Sequence, residues 1–149
     1  MSILKKIQQD SISAMKEGKK EELEILKVVA TSLNNAQIQK GREEKLSKDE
    51  EIKIISTEVK KLKDSISQFE TAGRDELAKR EAIQLEIAIK YLPTQLDDKE
   101  IESIVKEVID EVGATSKGDM GMVMGAAMTK VAGQADGNQV KEIVMKMLP

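Results

Sequence analysis

The 149 residues contain no cysteine, no histidine and no tryptophan, and only one tyrosine and one phenylalanine. Each absence removes a class of chemistry. Without cysteine there is no disulfide framework, no thiolate nucleophile and no cysteine-ligated zinc or iron–sulfur cluster. Without histidine there is no imidazole base, no Ser-His-Asp triad and no ordinary zinc or haem site. Two aromatic rings cannot form the platforms on which single-stranded nucleic acids stack. No cofactor and no metal are expected. Proline occurs only at positions 93 and 149, so helices can run long. No apolar run approaches the roughly 18–20 residues of a membrane span. The start, Met1-Ser2-Ile3-Leu4-Lys5-Lys6, leads into an amphipathic pattern rather than a signal-peptide core, so the cytoplasm is the expected location.

What is present is charge and helical periodicity. Charged residues make up 34% and hydrophobic ones 40%, with a net charge of −3. Residues 1–95 hold 18 basic and 17 acidic side chains, whereas 96–149 hold 6 and 10. Only Arg42, Arg74 and Arg80 are arginine, so bidentate phosphate forks are scarce.

Caps and glycines divide the chain. Ser2 is a candidate N-cap for a helix over about 2–17 that ends at Gly18, with Ile3, Ile7, Ala14 and Met15 near one face. A second helix, about 20–40, spaces Leu23, Leu26, Val29, Ala30 and Leu33 helically before Gly41. Ser47 and Glu50 have the form of a capping box. Behind them Ile52, Ile55, Val59, Leu62, Ile66 and Phe69 recur in alternating steps of three and four, which predicts one long helix. Gly73 stops it. A fourth helix, about 75–91, presents Ala78, Ala82, Leu85, Ile89 and Leu92, with a second apolar row at Ile83 and Ile87. The short turn between them makes helices three and four antiparallel.

Pro93 marks the main boundary, giving an N-terminal helical bundle over 1–93 and a three-helix module over 94–149. Asp97 and Glu100 repeat the capping-box form, leading into Ile101, Ile104, Val105, Val108 and Val112 before Gly113. Asp119 can cap a sixth helix through Ala132, and Asp136 a seventh through Leu148. No segment alternates as a strand does. The expected fold class is all-α.

Candidate sites are few. Gly118-Asp119-Met120-Gly121 precedes a helix whose free amides could bind an anion, but it lacks the phosphate-loop pattern. Gly121 and Gly125 share a helix face and predict close approach of another helix. Met120, Met124 and Met128 form an i, i+4, i+8 row, which suits a core row better than an adaptable groove. The candidate phosphate contacts are basic: Lys60 and Lys63, with Lys53, on the third helix, Arg74 at the turn, and Lys130, Lys141 and Lys146 on the last two helices. Glu50, Glu51, Glu58 and Asp64 are interspersed, which is also how a long helix stays solvated. No carboxylate pair is marked for acid–base work, and no catalytic residue is identifiable.

Several separated motifs carry a resemblance. Phe69-Glu-Thr-Ala-Gly-Arg74-Asp75-Glu-Leu77-Ala is followed by Tyr91-Leu92-Pro93, Leu96 and Glu100. Glu-Val-Gly113-Ala114, Asp119-Met120-Gly121-x-Val123-Met124-Gly125 and Gly133-x-Ala-Asp136-Gly137 come next, in that order. Together with Ala14-Met15-Lys16, Leu23-x-x-Leu26 and Glu58-Val-Lys60 they resemble the GatB/YqeY family, in its free-standing form. Lys27, Gln84 and Gln134 depart from the pattern, standing where arginine, glutamate and a basic residue are common. The resemblance implies a helical bundle followed by a three-helix module similar to the tail of the B subunit of the tRNA-dependent amidotransferase. In that enzyme the tail contacts tRNA and the chemistry lies elsewhere. The name carbon–nitrogen ligase with glutamine as amido donor travels with the family. The implied role is an accessory module for tRNA or a tRNA-handling complex, with protein–protein interaction as the alternative. Pro93, Gly121, Gly125, Gly133, Asp136 and Gly137 would be its structural motif positions.

Overall fold

The computed structural model describes residues 2–149, and every regular element among them is helical. The helices are α1 (Ile3–Glu17), α2 (Lys20–Lys40), α3 (Lys48–Thr71), α4 (Asp75–Ile89), α5 (Asp98–Val112), α6 (Met120–Val131) and α7 (Gly137–Met147), with a 3-10 turn at Lys117–Asp119. Contacts divide the chain into two compact units that meet at Leu92 and Pro93.

In the first unit the α1–α2 and α3–α4 hairpins form a four-helix arrangement. The Ser2 hydroxyl accepts from the Lys5 amide at 3.2 Å and starts α1, and Gly18, at φ 69°, ends it. The Ser47 hydroxyl accepts from the Glu50 amide at 3.1 Å and starts α3. Between α2 and α3 the Gln37 side chain organises the loop: its amide donates to the carbonyls of Gly41 and Glu44, and its oxygen accepts from Leu46 N at 2.9 Å. The core comprises Ile7 and Ala14, then Ile25, Leu26, Val29 and Leu33, then Ile55, Val59, Leu62 and Ala88. Full burial of each large aliphatic side chain contributes about 1.5–3 kcal/mol relative to exposure.

Three details differ from the sequence expectation. The α3 seam is buried through Leu62, but Ile66 and Phe69 are only half-buried, because the core thins toward the α3–α4 turn. On α4 the buried positions are Ala78, Gln84 and Ala88, whereas Ala82, Leu85 and Ile89 flank them. The second apolar row divides: Ile87 is partly buried and packs against the first core, whereas Ile83 is 49% exposed. Glu51 and Glu58 are also not solvated: they are 4% and 8% exposed.

In the second unit, Asp97 and Glu100 form a reciprocal capping box at 2.8 and 3.0 Å, and α5 runs from it to Gly113. The core is Ile101, Val105 and Val108 from α5, Val123, Ala127 and Val131 from α6, Ala135, and Val140, Ile143, Val144 and Leu148 from α7 and its end. Met120, Met124, Met128 and Met147 are partly buried and pack around that core rather than forming its centre. Asp119 does not cap α6. Its carboxylate turns back to accept from Thr115 N at 2.9 Å and Ser116 N at 3.3 Å, which closes the 3-10 turn instead. The reason is local: two free amides lie within reach on the preceding turn.

Gly121 and Gly125 overturn the expected close helix approach. Both are exposed, and a Cβ at either would meet nothing within 4 Å. The core side of α6 is set by Val123, Ala127 and Val131, which places the two glycines nearly opposite, beside Met122 and Thr129. No helix in the structure is long and apolar enough to cross a membrane among the described residues.

Candidate functional site

The basic side chains selected from the sequence fall into two sets with different surroundings. On α3, Lys53 and Lys60 project from the exposed face and Lys63 lies half-buried at its flank. Seven helical residues separate Lys53 from Lys60, about 10 Å of rise and almost two full turns, so both charges share one side. Thr57, between them, returns its hydroxyl to the Lys53 carbonyl at 3.0 Å and leaves the lysines uncovered. Lys61, one residue on, is engaged with the Glu58 carboxylate at 3.4 Å. Arg74 is exposed in the turn that leads into α4, beside Asp75 and Glu76.

In the second unit the picture is different. The Lys130 ammonium bridges Glu111 at 2.9 Å and Glu107 at 3.1 Å, and so ties α6 to α5. Its pKa is raised above the usual lysine value, first by the hydrogen bond to Glu111 and then by that to Glu107. Two carboxylates on one ammonium leave that spot acidic. Lys141 and Lys146 are exposed on α7, but five residues separate them, so they point about 140° apart. The structure therefore groups Lys53, Lys60 and Lys63, and does not group Lys130, Lys141 and Lys146.

Among the motif positions, Pro93 opens the second unit and Gly133, at φ 82°, lies in the α6–α7 turn. Asp136 caps α7 by accepting from Asn138 N at 3.0 Å. Gly137 faces Met128, whose Cε would lie 3.8 Å from an added Cβ.

Sequence reasoning missed the buried polar groups. Glu51 accepts from the Leu4 amide at 3.0 Å, and Glu58 accepts from the Ser32 hydroxyl at 2.8 Å. Tyr91 donates its hydroxyl to Asp10, and the Lys6 ammonium lies 5.8 Å from the centre of its ring. Burial, followed by the Asp10 contact, pushes the Tyr91 pKa above the usual phenol value. The hydrogen-bonded partners are 26 to 81 residues apart. The one available signal was the rarity of the tyrosine itself.

Chemically, the arrangement holds and positions. Among the described residues no buried side-chain nitrogen or oxygen lacks a partner, and no three acidic side chains gather as a metal site would need. The exposed lysines of α3 can meet an anionic surface; the buried carboxylates are occupied with fixing helices.

Comparison with known proteins adds to this geometry. The family model described as Yqey-like protein matches residues 4–148. The chain is similar to the E subunit of Glutamyl-tRNA(Gln) amidotransferase from Thermococcus sibiricus, with 49% identity over 51 residues, 34% of this chain and 8% of that protein. The namesake from Thermococcus gammatolerans is 39% identical over 59 residues, 37% of this chain and 9% of the relative. Altered inheritance of mitochondria protein 41, mitochondrial, of Pyrenophora tritici-repentis is 25% identical over 151 aligned positions, 98% of this chain and 81% of that protein. The matches thus span less than a tenth of the two amidotransferase relatives.

Proposed function

We propose, for a chain that belongs to the Yqey-like protein family, a non-catalytic accessory role in which it binds tRNA or a tRNA-handling complex. The observation that carries this reading is the 49% identity over 51 residues to a protein named for glutamyl-tRNA(Gln). The exposed lysines of α3 supply the chemistry. Lys60 and Lys53, both exposed, are the first candidates, with the half-buried Lys63 at their flank and Arg74 at the end of the hairpin. Lys141 and Lys146 are secondary, and Lys130 contributes through α5–α6 packing, since its charge is held by Glu107 and Glu111. The arginine scarcity and the two aromatic rings favour backbone and shape contacts over base stacking.

Titration with total tRNA at two salt concentrations tests the proposal. Binding must weaken with salt, by a log–log slope of about 0.7–0.9 per phosphate contact. Lys60→Glu combined with Arg74→Glu is expected to abolish it, while Lys130→Glu alone changes it less. Absence of micromolar binding at low salt rejects direct RNA contact.

A second reading, a protein-interaction module without RNA contact, draws on the bare side of α6. Gly121, Gly125 and Met122 are exposed there, Met122 at 52%. Affinity isolation from native extract separates the two readings: a stoichiometric protein without RNA favours this one, and RNA without such a protein favours the first.

A further inference from the structure

All sulfur in this chain is thioether. Eight methionines occur without a cysteine, and six of them lie between residues 120 and 147. Tyr91 and Phe69, the only aromatic side chains, both belong to the first unit, and histidine and tryptophan are missing altogether. Methionine is therefore the one side chain of the second unit that a mild two-electron oxidant attacks.

The fold sorts these six into two tiers. Met122 on α6 and Met145 on α7 are 52% and 45% exposed, on the sides turned away from the buried rows Val123–Ala127–Val131 and Val140–Ile143–Val144. Met120, Met124, Met128 and Met147 are half-buried and pack against the second core. Met120 begins α6 and Met147 ends α7. Met128 reaches the start of α7, its Cε 3.8 Å from where a Cβ on Gly137 would stand. The rim sulfurs thus follow the length of the α6–α7 pair. Among the described residues of this unit no polar side chain is buried, so nothing inside waits to hydrogen-bond a new oxygen.

We propose that the second unit responds to peroxides in two steps, through its exposed methionines first and its rim methionines second. At each Sδ a lone pair takes one peroxide oxygen: the S–O bond forms and the O–O bond breaks. The proton on the transferred oxygen passes to the leaving hydroxyl, which departs as water. Sulfur loses two electrons and the peroxide gains them. At Met122 and Met145 the sulfoxide stands in water, and the fold tolerates it. At the rim the same oxygen makes an apolar side chain polar and sets an acceptor against valine and alanine, so α6 and α7 loosen. Sulfoxide reduction reverses both steps.

Graded hydrogen peroxide on the full chain tests this, with oxygen uptake mapped by peptide mass spectrometry and amide exchange followed in parallel. Met15 of the first unit, 60% exposed, is the reference for an open thioether. Met122 and Met145 are expected to match it and to gain oxygen several times faster than the four rim methionines, with exchange in α5, α6 and α7 unchanged at that stage. As the rim is oxidised, amide protection in α6 and α7 should fall about tenfold, the effect of one unpaired acceptor in the core. Uniform rates at all six sulfurs, or rim oxidation that leaves protection intact, overturns the proposal. Two double variants assign the effect. Met124→Leu with Met128→Leu nearly conserves core volume and should remove most of the loss. Met122→Leu with Met145→Leu should leave it at full size; the reverse pattern overturns the two tiers. Methionine sulfoxide reductases for both epimers should restore protection, and failure to recover overturns a reversible response.

Discussion

The two units solve the same packing problem with different material. The first buries leucine and isoleucine between helices of up to 24 residues and admits Glu51, Glu58 and Gln84 into its interior. The second uses helices of 11 to 15 residues, a core mostly of valine with isoleucine, alanine and Leu148, rimmed by methionine, and no buried polar side chain among the described residues. Its polar interactions, such as Lys130 with Glu107 and Glu111, lie at the surface. Long helices slide easily past one another, and a cross-helix carboxylate fixes their register at the cost of desolvation. The shorter helices of the second unit, two of them started by side-chain caps at Asp97 and Asp136, hold together without such pins.

The largest expected effect tests whether the units are energetically separate. Leu33→Ala removes a fully buried side chain from the first core and should cost about 2–5 kcal/mol. In a urea titration that loss should move only the transition of the first unit, followed by the Tyr91 signal, while exchange protection of the α5 and α7 amides stays unchanged. Parallel loss in both units would dissolve the contrast.

Next comes the pin itself. Glu51→Ala leaves the Leu4 amide without its acceptor in a buried setting, a loss of about 1–3 kcal/mol. Glu51→Gln retains the shape and an accepting oxygen and should cost less; equal losses in thermal melts would show that the negative charge, and not the neutral hydrogen bond, matters.

In the second unit the sharpest test runs toward stability. Gly125→Ala adds a methyl group to an exposed helix interior with open space around it, and should raise stability by about 1 kcal/mol. A decrease on chemical denaturation would mean that the bare face is not bare in solution.

The smallest effect is alkaline. Tyr91 has a raised pKa in the folded chain, so its neutral form is favoured there and its contribution is fully present below the ordinary phenol value of 10.0. That contribution is lost as pH rises above 10.0 toward the folded value. Stability should therefore decline in this alkaline window, and Tyr91→Phe should flatten the decline in melts recorded against pH.

Helix starts and stops were legible because their signals are local. Ser2, Ser47, Asp97 and Asp136 accept from amides two or three residues ahead, and Gly18 and Gly113 occupy left-handed stops. What lies across the fold was not legible. Gly121 and Gly125 have the same spacing whether they face a neighbour or water, and only the opposing Val123–Ala127–Val131 row decides it. Asp119 looks like a cap from its position, yet nearby amides on its other side capture it. For the candidate interface, helical spacing showed that Lys53 and Lys60 lie together. It gave no sign that Lys130 is occupied, since Glu107 and Glu111 sit on another helix.

The hydrogen bond from Leu4 to Glu51 also bears on how the chain folds in time. Ser2 satisfies the Lys5 amide within the first turn of α1, but the Leu4 amide finds its partner 47 residues later, on α3. That turn can nucleate locally and cannot be completed until α3 has docked. Closing so long a loop precedes its reward, which places the event late on the folding path. Removing the carboxylate should then speed unfolding while leaving the folding rate nearly untouched.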